Sequence, residues 1–280
     1  MKKVAFTALI SVSLLFLFLF WGGSLLTENS IANKVDRLKE ISNTSPTVIF
    51  NKKTVANLPR PLKKYFTMVT SDSFKVPKFV TVIQKAEIKT STKSQWLPVN
   101  AVEYFTTYYP NYLWDAELHT NKYFWVKTID SYVEGAGNMI IKFNSSITIS
   151  DAKSIEINKS DLFRYFSEAV VFPTSMLPND SLKWNMLDSN IAEIKYKHKS
   201  VSIVAKVFFN ENGLIEKILT NDKFRSTEKG YVQTPYTVYY SNYKWFDNKY
   251  IVPSHYELEW DLPDGKFRYA KFDIQKVIYE

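Results

Sequence analysis

Residues 101–109, Ala-Val-Glu-Tyr-Phe-Thr-Thr-Tyr-Tyr, and the segment that follows, Tyr112-Leu113-Trp114-Asp115-Ala116-Glu117-Leu118, decide the fold. In the second segment Tyr112, Trp114, Ala116 and Leu118 alternate with other residues, and a period of two places them on one face of a strand. The pattern extends in both directions. Val80, Val82 and Ile83 with Ala86 and Ile88 precede it; Tyr123, Trp125 and Lys127, then Met139, Ile141 and Phe143, come after. Short strands in succession, broken by turns, make an antiparallel meander. Beyond residue 180 the pattern resumes, with strands expected at 184–188, 192–196, 201–209, 214–220, 236–243, 250–253, 256–260 and 268–279. Asn212-Gly213 and Asp264-Gly265 are turn and hairpin signals.

Composition agrees. The 280 residues include 18 Tyr, 20 Phe and 7 Trp, and aromatic residues favour half-buried pleated surfaces. Hydrophobic residues at 45% and charged residues at 23% suit a globular domain with a core. Only 7 Gly occur, which argues against a Gly-rich nucleotide-binding architecture. The net charge of +8 comes mainly from Lys and suits attraction to anionic lipid head groups or plain solubility. These lysines are scattered among Glu and Asp, so nucleic acid is not an expected partner. Cysteine is absent, which excludes disulfides, thiolate metal sites, a Cys nucleophile and the attachment cysteine of a bacterial lipoprotein.

Two helices interrupt the strands. Pro59 and Pro61 suit a helix start, and Leu62, Tyr65, Phe66 and Val69 form one apolar face behind them. A second helix is expected over 160–172, with Ser160 as N-cap, Asp161 in the first turn, and Pro173 ending it.

The first segment carries a separate message. Met1-Lys2-Lys3 leads an uncharged run from Val4 to Leu26, rich in Leu and Phe. Spanning a bilayer takes roughly 20 apolar residues. The two lysines should stay cytoplasmic and send the rest across, with Trp21 as an interfacial anchor. Residues 1–26 are therefore expected to be a signal anchor in a bacterial inner membrane, single-pass with the C-terminal domain extracytoplasmic. The alternative is a signal peptide cleaved near Gly22 or Ser24, exporting the domain. Residues 27–46 read as an amphipathic stalk and linker. Ser30 is a candidate cap, Ile31, Val35, Leu38 and Ile41 make a stripe packed on the domain, and 42–46 is the linker. Residues 47–280 form a single β-rich extracytoplasmic domain.

A series of motifs is more specific. Leu58-Pro59-x-Pro61 with Lys64-Tyr65-Phe66 is followed by Trp96, Ala101 and Phe105, then by Trp114-Asp115-Ala116. Asp130-Ser131-Tyr132-Val133 leads into Gly135, Gly137 and Met139; next come Arg164-Tyr165, Glu168, Phe172-Pro173-Thr174 and Leu177-Pro178. Trp184, Asp188, Trp260 and Pro263-Asp264-Gly265 complete it. Together they resemble an uncharacterised bacterial family of membrane-associated domains of unknown function, from Leu58 onward. Phe172 stands where that family often has Trp, and Lys64 where it often has Arg; neither change forces another fold. The helix-interrupted sheet also resembles, by analogy of fold, the half-barrel of lipoprotein carriers, in which a curved sheet and helices enclose an apolar cavity. The fold class implied is α+β, mainly β: an N-terminal transmembrane helix, then a curved antiparallel sheet with a few covering helices.

Three constellations bear on function. Arg164 and Glu168 lie four apart, near Asp161, and make either an (i, i+4) ion pair or a general acid–base with a substrate-orienting cation. Asp130 stands before the Gly135-Ala136-Gly137 turn, which reads as tight strand geometry or as a carboxylate beside a pocket. His119, His198 and His255 have no companion at metal-ligand spacing, so no metal or other cofactor is expected. No Gly-x-Ser-x-Gly elbow and no phosphate loop occurs. The aromatic residues are sheet core, or they line a hollow for an acyl chain. On the second reading Phe105, Tyr112, Trp114, Trp125, Phe172, Met176, Leu177, Trp184 and Trp260 contact the ligand, and 172–178 forms a lid or rim. The expectation is a membrane-tethered domain binding a lipid, acyl chain or other hydrophobic ligand. The alternatives are an envelope hydrolase using Glu168, Arg164 and Asp130, and a scaffold contacting an envelope protein partner.

Overall fold

The alternating segments pair with their neighbours. A computed structural model describes the backbone of residues 2–280 and the side chains of residues 21–280. Helix α1 (Lys2–Thr44) leads into β1 (Ile49–Asn51), which pairs with β2 (Ser73–Lys75); α2 (Arg60–Val69) lies between them. The first meander is β3 (Phe79–Ile88), β4 (Leu97–Thr106), β5 (Asn111–His119), β6 (Trp125–Val133), β7 (Ala136–Phe143) and β8 (Ile147–Ala152). Helix α3 (Ile155–Glu168) follows. The second run is β9 (Leu182–Met186), β10 (Ile191–His198), β11 (Val201–Phe209), β12 (Ile215–Thr220), a side hairpin of β13 (Phe224–Thr227) and β14 (Gly230–Gln233), then β15 (Tyr236–Phe246), β16 (Tyr250–Leu262) and β17 (Gly265–Tyr279).

Among the described residues, thirteen strands form one antiparallel sheet in the order β8-β7-β6-β5-β4-β3-β17-β16-β15-β12-β11-β10-β9. The join is non-local: β17 pairs with β3, from Ala270 opposite Ile88 to Tyr279 opposite Val80. The curvature follows from what α3 touches. It packs against β6, β7 and β11. A flat sheet at about 4.8 Å per strand would hold β7 and β11 about 43 Å apart, and a helix is only about 10–12 Å wide. The sheet therefore curls around α3. Its two ends meet at one rim, where Tyr132 OH on β6 lies 3.0 Å from His198 Nδ1 on β10.

Both faces are covered. Inside the curl, α2 buries Leu62, Tyr65, Phe66 and Val69, and α3 buries Leu162, Phe163 and Phe166. Outside it, α1 lays Ile31, Val35 and Leu38 on Phe79, Leu113 and Ile129. This is the stripe expected to pack on the domain, and each such side chain stabilises the contact by roughly 1.5–3 kcal/mol. At the same seam the buried Lys127 ammonium bonds Asp115 at 2.7 Å and Glu28 of α1 at 3.2 Å.

Several local expectations are corrected. Ser30 caps nothing, because α1 runs unbroken to Thr44, and the expected linker from Ser42 therefore begins inside the helix. Ser154, not Ser160, caps α3, its hydroxyl accepting from Ile157 N; Glu156 is the acidic residue of the first turn. Ser160 Oγ instead accepts from Phe224 N at 2.9 Å. The helix ends at Glu168, and two 3-10 turns, Ala169–Val171 and Pro173–Met176, continue the chain. The strands expected at 250–253 and 256–260 are one, β16, which runs through Pro253. The side chains of most of the apolar run 4–26 lie outside the described residues. Among the described residues, no helix is long and apolar enough to cross a membrane.

Candidate functional site

Helix α3 carries one cation into the curl. Alternation puts Glu103 of β4 and Asp130 of β6 on the inner face beside Phe105 and Tyr132, and both carboxyls meet Arg164. Its Nη2 donates to Glu103 at 2.9 Å, Nη1 to Asp130 at 2.8 Å, and Nε to both oxygens of Glu168 at 3.2 Å. The guanidinium lies over the rings of Trp114 at 4.6 Å and Tyr112 at 5.2 Å. Gln84 donates to Glu103 at 3.2 Å and to Tyr256 OH at 2.9 Å. Asp161, expected in the first turn of its helix, sits in the second turn instead and is 3% exposed.

Four carboxyls thus surround Arg164, with Lys223 as the second cation nearby. Burial, with Glu168 adding to it against Arg164, pushes the Glu103 carboxyl well above the usual range. Burial and then the charge of Asp130 do the same to Asp161. Burial lowers the Lys223 ammonium, against the pull of Asp161. The raised Glu103 and Asp161 carboxyls favour their neutral forms, which lessens the charge held in a dry interior.

The three residues of the hydrolase alternative, Glu168, Arg164 and Asp130, are therefore brought together, but in a closed cluster. Glu103 is fully buried, and the neighbouring void, bordered by Glu168, Gln84, Phe105, Tyr240 and Tyr256, measures about 10 Å³, space for about one water. What the arrangement does is pin α3 to β4 and β6. Gly137 permits that approach: it lies in β7, where an added Cβ would stand 2.3 Å from Asp161 Oδ2 and 2.8 Å from Ile157 Cγ2. The tight turn itself is Glu134-Gly135, both at positive φ.

Most of the expected ligand-lining residues are core. Phe105, Tyr112, Phe172 and Met176 are 0–1% exposed, with Phe105 and Phe172 in ring contact at 4.9 Å. Trp114 and Trp260 are buried; Trp260 packs on Tyr236 at 4.6 Å. Trp184 Nε1 donates to Met176 O at 2.9 Å, and Trp125 sits apart at the β5–β6 turn, bonding Ser145. The hollow expected behind these rings is filled by α3 and by the rings themselves.

Leu177 is different. It borders an open cleft of about 450 Å³ at the rim of the curl. One wall is Val48 with Ile49 and Phe50 of β1; another is Tyr108, Tyr109 and Pro110 of the β4–β5 turn; residues of the segment 174–181 and His198 complete it. Ile49 is 68%, Tyr108 47% and Tyr109 49% exposed, and clustered exposed apolar side chains mark a binding surface more than scattered ones do. The walls are fixed in place. Tyr165 OH donates to Thr106 O at 2.9 Å, and Ser175 Oγ to Thr107 O at 2.7 Å. His198 is held neutral, its imidazole pushed down to about 4 by burial and then by Lys199. His119 and His255 pair with carboxylates elsewhere, and among the described residues no group of three or more His, Asp or Glu side chains is placed to hold a metal ion.

A family model described as a family of unknown function, DUF6544, matches residues 48–272. The chain belongs to the DUF6544 family. The matched span begins after α1, so the DUF6544 domain is the sheet, its inner helices and the cleft. No curated protein matches the chain. Among solved structures it is similar to a domain from Vibrio parahaemolyticus provisionally named for outer membrane lipoprotein sorting, with 13% identity, TM-score 0.43, and 72% of this chain and 85% of that one covered. It is also similar to a DUF1329 family protein from Desulfovibrio piger, with 10% identity, TM-score 0.41, and 73% and 86% covered.

In this DUF6544 chain, Glu103, Gln84 and Lys223 were not singled out from the sequence. Glu103 was legible by parity alone, since it shares a face with Ala101 and Phe105. Tyr108-Tyr109-Pro110 offered another signal, two large rings at a turn where small polar residues are usual.

Proposed function

We propose that this domain binds the apolar part of a lipid or similar hydrophobic molecule in the rim cleft, while residues 1–26 hold it at a bacterial envelope membrane. The observation that carries the reading is the cleft: an open, pre-shaped space of about 450 Å³ walled by exposed Val48, Ile49, Tyr108 and Tyr109. Ligand sites are commonly concave, mostly apolar and roughly 300–1,000 Å³ in volume.

The tether is supported at the other end of the domain. Gly23 of α1 lies against Ser146, so the helix leaves the sheet at the β7–β8 turn. Around that exit Trp21 is 70%, Tyr123 64%, Phe124 48% and Ile147 52% exposed. An aromatic and apolar collar beside an uncharged run suits the interface of a bilayer. From Gly23 to Thr44 the helix rises about 32 Å at 1.5 Å per residue. The cleft thus stands well above the membrane surface, open to the extracytoplasmic side.

Native mass spectrometry of the full chain, purified in a mild detergent and then transferred to amphipol, tests the binding. Wild type should retain a lipid-sized adduct, and Leu177→Glu with Tyr109→Glu should lose it. An adduct-free wild type, or one indifferent to both substitutions, removes the reading.

A further inference from the structure

The cleft does not end at its apolar walls. Val76, Pro77 and Lys78, the segment joining β2 to β3, line it on one side and a second depression of about 580 Å³ on the other. The second space is basic. Lys39 of α1, Lys75, Lys78 and Lys249 border it, and Glu280 is its one acidic lining residue. Lys249 is paired with Asp247, so four lysines face the side-chain carboxylates of Asp247 and Glu280.

These ammoniums are not consumed by the fold. Lys39 stands over the Phe79 ring at 5.7 Å, Lys78 donates one of its three protons to Ser45 O, and Lys75 is exposed. The C-terminal end of α1 also reaches this space, and a helix C-terminus repels anions. Here that end is masked. Ser42 Oγ donates to Lys39 O at 2.9 Å, Thr44 Oγ1 to Ile41 O at 2.8 Å, and Lys78 covers the Ser45 carbonyl.

An apolar space and a cationic space sharing one wall complement a molecule with an apolar tail and an anionic head. We infer that the two depressions form a single site for an acyl chain bearing a phosphate head group, the tail against Tyr108, Tyr109 and Leu177 and the head against Lys39, Lys75 and Lys78. A compact ammonium is a good point-charge partner for phosphate, and several together favour a dianion over a neutral head. This rests on the cleft reading given above and adds the head-group class to it.

The test uses the full chain in amphipol, titrated calorimetrically with octyl phosphate, octyl glucoside and inorganic phosphate. The first two share a tail and differ in the head. Octyl phosphate should bind about tenfold tighter than octyl glucoside. Lys39→Ala with Lys75→Ala should weaken octyl phosphate by about tenfold; retained octyl glucoside binding then reports that fold and cleft are intact. Raising salt should erode only the octyl phosphate advantage. Equal binding of the two octyl probes, unaffected by the lysine substitutions, overturns the head-group inference and leaves the cleft reading standing. Inorganic phosphate binding as tightly as octyl phosphate overturns the amphiphile, because the tail then contributes nothing. Binding of none of the three overturns both readings.

Discussion

Replacing Glu103 by Gln tests the charge state of the buried cluster. The Glu103 carboxyl accepts from Arg164 at 2.9 Å and from Gln84 at 3.2 Å, is fully buried, and is pushed well above its ordinary 4.5, chiefly by burial. A raised carboxyl makes the folded chain hold a proton that the unfolded chain releases above 4.5. Its stabilising share is therefore complete below 4.5 and declines as the pH rises toward the folded value. The decline is about 1.4 kcal/mol per pH unit for one proton. Gln imitates the neutral acid and takes up nothing on folding. Relative to wild type, Glu103→Gln should gain stability as the pH rises from 5 to 7, by at most about 1.4 kcal/mol per pH unit. Rearranging the bond to Gln84 adds a fixed cost of about 1 kcal/mol, which does not change with pH. Urea unfolding of the full chain in zwitterionic nanodiscs, followed by tryptophan fluorescence at pH 5, 6 and 7, measures the difference. A flat or falling difference would refute the protonated Glu103.

Arg164→Leu strands the carboxyls it bonds and should lose about 3–5 kcal/mol at pH 7; the same urea measurement reports it. Gly137→Ala drives a Cβ to within 2.3 Å of Asp161 Oδ2 and should cost about 1–3 kcal/mol, with the midpoint of thermal unfolding lowered accordingly. The His198 imidazole, depressed to about 4, contributes stability that is present above its ordinary 6.5 and lost as the pH falls from 6.5 toward 4. His198→Gln should therefore flatten that acid limb relative to wild type, and an unchanged limb counts against the seam between β6 and β10.

Local periodicity carried much of the fold into the sequence. The apolar face of α2 (Leu62, Tyr65, Phe66, Val69) and the stripe Ile31, Val35, Leu38 are buried as their spacing implies. The strand Val201–Phe209 has the expected bounds. Non-local facts were less accessible. Nothing near residue 80 announces that residue 279 will lie beside it, so the join of β3 to β17 could not be read from alternation. The cap of α3 was misplaced because Ser154 and Ser160 both precede an acidic residue within two positions, and tertiary packing decides between them. Arg164 and Glu168 are near neighbours by helical spacing, but the contact of Arg164 with Asp130 and the burial of all three depend on the curl that brings β4, β6 and α3 together. The expected lining set erred for a related reason. Large rings on the inner face of a curled sheet either line a space or fill it, and α3 fills this one, which moves the accessible apolar surface out to the rim.

The direct measurement is photolabelling of the full chain with an acyl probe carrying a diazirine near the tail end, followed by peptide mapping. Adducts on Ile49, Tyr108, Tyr109 and Leu177 are the predicted outcome. Adducts confined to Phe105, Tyr112, Phe172 and Met176 would place the tail behind α3 and contradict a ligand held at the rim.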